Sequence, residues 1–314
     1  MKRKLRAAAL LLALCLIAGM AAAQAKTVTF WKTEISDGDT EVTFTGNESV
    51  HLTELDKLLD EMPNLKTVNL WDKRLHLNEI PDLFAHHPDV RFGMTIELNR
   101  SHVLRTDMTA YSTLGRQPQI AQMHTKYFTY LKDLKALDIG HMNVHSVDFL
   151  KDTAPLKILI IADNGLKNIE GLRGQTELEY LEIFKNYITD LSPLSGMTQL
   201  RDLNIGYNDI RDLHALDGLQ NLERLWTMGN WWLPEEEIER FKKLHPKCEV
   251  VTFSYGATGN QCDREKSHGN QMKQIPGTSW RHHKHYDTIH WIFNHNKYID
   301  WDVPVPQVKT AEDP

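Results

Sequence analysis

Leu156-Lys157-Ile158-Leu159-Ile160-Ile161-Ala162-Asp163-Asn164-Gly165-Leu166 spaces its aliphatic residues at places one, four, six and eleven, with asparagine at place nine. The third unit repeats this with Leu178, Leu181, Ile183, Asn186 and Ile188, and the fourth with Leu200, Leu203, Ile205, Asn208 and Ile210. Aligned on Leu134, Leu156, Leu178, Leu200 and Leu222, five units follow one another every 22 residues without insertion. A fixed period of this length is the signature of stacked coils, none of which can bury its own apolar face alone. The end units drift, with Met142 at place nine of the first and Thr227 at place six of the fifth.

Apolar residues at places four and six alternate with period two and predict a short inward-facing strand. The asparagine that follows can satisfy backbone groups of the adjoining turns inside the stack, where such groups require partners. Apolar pairs further on (Ile169 and Leu172, Leu191 and Leu194, Leu213 and Leu216) are expected to close the back of each coil.

At these residues the chain resembles the leucine-rich repeats of internalin-like bacterial surface proteins, most closely in Ile188-Thr189-Asp190-Leu191-Ser192-Pro193-Leu194. The resemblance covers about residues 131–232. It implies an α/β fold, a curved leucine-rich-repeat solenoid with a parallel sheet on its concave face. The flanks read as longer helix-plus-strand repeats that cap the array. One helix carries Leu52, Leu55, Leu58, Leu59 and Met62 before the strand-like Leu65–Leu70. A second runs around Ile80 to Ala85, and a third from Glu235 to Leu244 precedes Cys248–Val251. Weak periodicity from Ser101 to Lys126 predicts a loop or short helices. The expected organisation is a signal peptide over 1–25, an N-terminal cap with irregular repeats over 26–130, the array with its C-terminal capping repeat over 131–254, and a His- and Trp-rich segment over 255–314.

Lys2, Arg3, Lys4 and Arg6, an apolar run from Ala7 to Ala23, and Ala23-Gln24-Ala25 have the layout of a cleaved export signal. The expectation is therefore a secreted bacterial protein, with no membrane insertion after cleavage. Without those four cations, 32 Lys+Arg stand against 42 Asp+Glu, a charge near −10. That balance argues against nucleic acid or an anionic membrane as partner. In an exported chain, Cys248 and Cys262 are a candidate disulfide.

No phosphate loop, nucleophile elbow or zinc-helix motif occurs, so no enzyme activity and no cofactor are expected. Binding is expected on the places between the consensus leucines, which point away from the coil interior. Phe184, Tyr207, Trp226 and Met228, flanked by Tyr180 and rimmed by Glu182, Asp202, Lys185 and Arg224, are predicted to cluster in solvent as a contact surface for a protein or a carbohydrate. The competing expectation is that the C-terminal segment folds over them. Its aromatic run Tyr286, Trp291 and Phe293 suits docking onto the array. Trp231 and Trp232 read as structural, Trp232 lying at an inward consensus place.

His282, His283, His285 and His290 are weak metal candidates, because their spacing does not bring them to one helix face. Two rival functions follow: a metal-dependent role of this His-rich segment, and a structural spacer without a single ligand. The chain is expected to be a monomer.

Overall fold

The computed structural model describes residues 26–252, 286–294 and 304–305. Contacts divide the chain into two compact units, one ending at Thr95 and one beginning at Ile96.

In the first unit, β1 (Thr27–Phe30) and β2 (Thr33–Ser36) form an antiparallel pair. β3 (Glu41–Thr43), β5 (Thr67–Leu70) and the start of β7 (Arg91–Asn99) pair in parallel. The short β4 (Ser49–Val50) pairs likewise with β6 (Arg74–Leu75). Between these strands run α1 (Leu52–Glu61) and α2 (Ile80–His86). Leu52, Leu55, Leu58 and Leu59 recur at helical spacing and all four are buried, with Met62 just beyond. Both predicted helices and their following strands are therefore present. Lys73 is buried here as well. Its ammonium donates to the Thr45 carbonyl at 2.6 Å, pairs with Glu48 at 3.2 Å and lies 5.8 Å from the Trp31 ring centroid.

The second unit opens with the end of β7 and with β8 (His102–Arg105), and then builds a seven-stranded parallel sheet. Its strands in spatial order are β9 (Ala110–Ser112), β10 (Ala136–Asp138), β11 (Ile158–Ile160), β12 (Tyr180–Glu182), β13 (Asp202–Asn204), β14 (Arg224–Trp226) and β15 (Glu249–Val251). Leu137, Leu159, Leu181, Leu203 and Leu225 stand opposite one another, so the 22-residue period becomes a one-coil step with no slip.

β9 lies in a segment expected to be irregular. Tyr111 occupies the register of Leu137, and Thr113 is buried with its hydroxyl donating to the Asp138 carbonyl at 3.2 Å. An aromatic and a hydroxyl at the inward places hide the coil from a search for leucine. His102 is fully buried behind this strand, bonded to Tyr111 Oη and to the Pro118 carbonyl, each at 2.8 Å. Burial lowers its pKa and pushes that of Tyr111 up to about 12.

The asparagine ladder forms as the sequence predicts. Asn164 Oδ1 accepts from the Met142 and Val144 amides at 3.0 Å, and its Nδ2 donates to the Ile139 carbonyl at 2.9 Å. Asn186, Asn208 and Asn230 repeat the arrangement one coil further each time. On the far side of the coils, Ile169, Leu172, Leu191, Leu194, Leu213 and Leu216 are all buried. Each pair brackets a single 3-10 turn (Glu170–Leu172, Ser192–Leu194, His214–Leu216).

α3 (Glu235–Leu244) follows the last 22-residue coil, brings Ile238 and Phe241 into the core, and leads to β15. Three glutamates in its first turn and two lysines in its last suit the helix dipole. A further helix, α4 (Tyr286–Asn294), packs on the sheet. Among the described residues, no helix is long and apolar enough to cross a membrane. The export signal over 1–25, Cys262, and His282, His283 and His285 lie outside the described residues, as does the side chain of His290. Cys248 itself is half-buried just before the last strand.

Candidate binding face

Places three and five of each coil project from the sheet on the side opposite the consensus leucines. The place-three row runs Ala110, Ala136, Ile158, Tyr180, Asp202 and Arg224, and the place-five row Asp138, Ile160, Glu182, Asn204 and Trp226. The alternation predicted from sequence is correct. The expected solvent exposure is not.

α4 lays Ile289 and Ile292, with Val305, against Ala110, Ala136, Ile158 and Tyr180, and all seven residues are fully buried. Phe293 packs against a second group formed by Ile160, Trp226 and Met228, beside Val251. The row grades from the small Ala110 and Ala136 through Ile158 to the Tyr180 ring.

Four predicted contact residues are therefore floor, not open surface: Tyr180 and Trp226 are 0% exposed, Glu182 1% and Met228 4%. Asp202 joins them. The cause is apolar. Rings and methyls on one face of a sheet lose water when covered, and the chain carries a helix of its own to cover them. Burial, and then the nearby Asp202 and Glu179 carboxylates, drive the Tyr180 phenol pKa far up.

A polar clamp fixes the cover. The Val305 amide donates to Glu179 Oε2 at 2.9 Å, and Glu179 in turn lies 3.5 Å from Lys157 Nζ and 3.6 Å from Arg201 Nε. Arg201 also reaches Glu223 at 2.8 Å. Arg224 is half-buried, its guanidinium 5.1 Å from the Trp226 ring centroid and 3.0 Å from Glu249. Among the described residues, the buried Trp226 Nε1 and Asn204 Nδ2 have no acceptor.

The rest of the predicted cluster stays accessible along the margin. Tyr207 is 42% exposed and Phe184 is half-buried, their rings meeting edge-on at 5.2 Å. Both belong to a margin with an unusual backbone. Place eight is left-handed in every coil, at His141 (φ 60°), Asp163 (52°), Lys185 (56°), Tyr207 (53°) and Gly229 (72°). Such a conformation costs a non-glycine residue energy, which the interlocked coils supply. Asp163 Oδ2 bridges His141 Nδ1 and Lys185 Nζ, each at 3.0 Å. At Gly229 a Cβ would stand 2.8 Å from the Tyr207 ring, so here it is the neighbour, and not the φ shared with the other coils, that calls for glycine.

Three exposed aromatics were missed or misread. Trp231 is 85% exposed, Trp232 65% and Tyr187 59%. Trp232 holds the place that buries Leu166, Ile188 and Ile210 in earlier coils. Here the chain turns away through the Leu233 amide bonding the Asn230 carbonyl at 3.1 Å, and α3 supplies the core instead.

Asp212, His214 and Glu237 come together within reach of a shared cation. Arg240 already occupies Glu237, donating at 2.7 and 2.8 Å, and it pairs with Asp217 at 2.8 Å. Glu237 is thus already paired with a guanidinium. Those hydrogen bonds hold the Glu237 carboxyl below its ordinary 4.5. A depressed folded-state value stabilises the fold above pH 4.5 and loses that contribution as pH falls through it. Glu237→Gln is expected to cost about 1–2 kcal/mol at pH 7, shrinking in acid. Urea unfolding at pH 7 and pH 3.5 checks this, and equal losses at both would contradict it.

No protein-family model matches the chain, and a search of curated proteins returns no relative. Among solved structures, it is similar to an internalin (inlF) from Listeria monocytogenes. That match has 18% identity and a TM-score of 0.40, over 63% of this chain and 50% of the internalin. The chain thus spans half the length of that protein. An internalin C2 from the same species aligns at 19% identity and a TM-score of 0.37, over 70% of this chain and 85% of its own. A leucine-rich-repeat protein of Leptospira interrogans gives 18% and 0.30, over 62% and 74%.

Proposed function

We propose that this chain is an exported leucine-rich-repeat module that binds a polypeptide on its sheet face, without enzymatic activity. One observation carries the reading: the face already holds a helix, seated by Ile289 and Ile292 on a row of graded side chains. A surface that packs one amphipathic helix is shaped for apolar side chains at helical spacing. Among the described residues the buried donors on Asn204 and Trp226 have no acceptor, and in this reading they suit a polar group of the occupant. Tyr180, Glu182, Trp226 and Met228 form the floor in this reading, and Phe184, Tyr207 and Arg224 form the rim that meets a partner first.

Export rests on the basic and apolar N-terminal sequence. The test is a pull-down with residues 26–314 from host-cell and bacterial-envelope extracts, run beside Phe184→Ala with Tyr207→Ala. A protein retained by the wild type and reduced about tenfold on the variant is the expected outcome, since rim aromatics carry disproportionate binding energy. Equal retention by both would remove the rim from the site.

A further inference from the structure

The three exposed rings do not belong to the covered face. After the place-nine asparagine, place eleven points inward, with Leu166, Ile188 and Ile210 fully buried, and places ten and twelve point out. Place ten reads Tyr187, Asp209 and Trp231 in the third, fourth and fifth coils, and place twelve reads Lys167, Thr189 and Arg211 in the second, third and fourth. Lys167, Tyr187, Thr189 and Asp209 line an open groove of about 560 Å³. Trp231 and Trp232 stand beyond it, with the Arg211 guanidinium 5.9 Å from the Trp232 ring centroid.

The backbone of the first two members is tied to the preceding coil. The Tyr187 amide bonds the Leu166 carbonyl at 2.7 Å, and the Asp209 amide bonds that of Ile188 at 2.9 Å. Neighbouring strands lie about 4.8 Å apart, which separates Tyr187 from Trp231 by about 10 Å. Single exposed aromatics are ordinary on a surface, but here Tyr187 lines the groove and Trp231 stands two coils further along the same row, with Trp232 beside it.

The mixture indicates the ligand. A protein-recognition centre gathers rings into an apolar, water-excluding core. Here a carboxylate divides the rings, and a hydroxyl, a guanidinium and an ammonium flank them, while the aliphatic residues face inward. Exposed ring faces bear partial negative charge and attract polarised C–H groups. The interspersed charged side chains bind hydroxyls. A molecule that alternates C–H faces with hydroxyl groups along its length is a carbohydrate chain.

We infer that the Tyr187–Asp209–Trp231 row binds a neutral oligosaccharide, the two rings stacking on sugar faces while Asp209 and Arg211 hydrogen-bond their hydroxyls. This site is separate from the sheet face and rests on different residues.

The experiment is native electrophoresis of residues 26–314 through gels containing hydroxyethylcellulose, glycol chitin, glucomannan or soluble starch. Tryptophan emission is then titrated with oligosaccharides of any polymer that retards migration. The expected result is retardation by at least one polymer, with Trp231→Ala and Tyr187→Ala each weakening it about tenfold. Asp209→Asn, which preserves shape, is expected to weaken binding too. Phe184→Ala with Tyr207→Ala should migrate as the wild type does, which separates this site from the polypeptide face. Retardation by none of the four polymers would overturn the inference. So would retardation that survives loss of both rings, or a protein captured through Tyr187 and Trp231 in place of a glycan.

Discussion

Asn186→Ala is expected to lower the unfolding free energy by about 3–5 kcal/mol, a large loss for a single side chain. Asn186 Oδ1 accepts from the Asn164 and Leu166 amides at 3.0 Å, and its Nδ2 donates to the Ile161 and Ile183 carbonyls at 3.1 and 3.0 Å. All of these groups lie inside the stack. Each one orphaned costs about 1–3 kcal/mol, and water entering the vacated space recovers part of the sum. The change also cuts bonds between neighbouring coils, so the array should unfold less cooperatively. Urea unfolding followed by circular dichroism measures both effects. Asn221→Ala is the control, because its one bond, to the Thr198 carbonyl at 2.8 Å, is exposed. That variant should stay within about 0.5 kcal/mol of the wild type. Equal losses at the two positions would show that the ladder does not carry the stack.

Ile289→Asp combined with Ile292→Asp is expected to release α4 from the sheet while leaving the array folded. Both side chains are fully buried, and burying an isoleucine is worth about 1.5–3 kcal/mol. The replacement carboxylates add the cost of desolvating charge against the apolar surface of Ala110, Ala136, Ile158 and Tyr180. Together these exceed what the Val305–Glu179 bond holds on its own. Hydrogen exchange should show loss of amide protection over 286–294 with β10 to β13 still protected. A hydrophobic dye should bind the uncovered face. Unchanged protection of α4 would mean that other contacts seat it. Under the proposed function the released face also captures more partner than the wild type does.

How much was legible in the sequence follows from which forces are local. The 22-residue period set strand register, the asparagine ladder and the aliphatic back of each coil, because each coil solves the same packing problem against its neighbours. The helices at 52–61, 80–86 and 235–244 were readable for a similar reason, being short amphipathic segments beside strand patterns. β9 was not, since Tyr111 and Thr113 fill a leucine's places without a leucine's signature.

The binding face shows the boundary most sharply. Sequence periodicity identified which side chains leave the sheet on the same side, and it grouped Tyr180, Glu182, Phe184, Tyr207, Arg224, Trp226 and Met228 as one exposed surface, of which Tyr180, Glu182, Trp226 and Met228 are buried. It offered both water and the C-terminal segment as the neighbour of that surface, the second on the aromatic run Tyr286, Trp291 and Phe293, without deciding between them. Ile289 lies 109 residues beyond Tyr180 in the chain, so no local pattern fixes which of the two covers it. Trp231 and Trp232 fail in the opposite sense. Both read as structural, Trp232 because its consensus place predicts burial, and the turn into α3 leaves them in solvent.

The sequence by itself determined the coil, its register and its internal hydrogen bonds, because these depend on residues one period apart. Only the tertiary structure decided what is covered and what is open. Burial of an apolar face depends on whatever chain lies across it, and a repeat does not encode that.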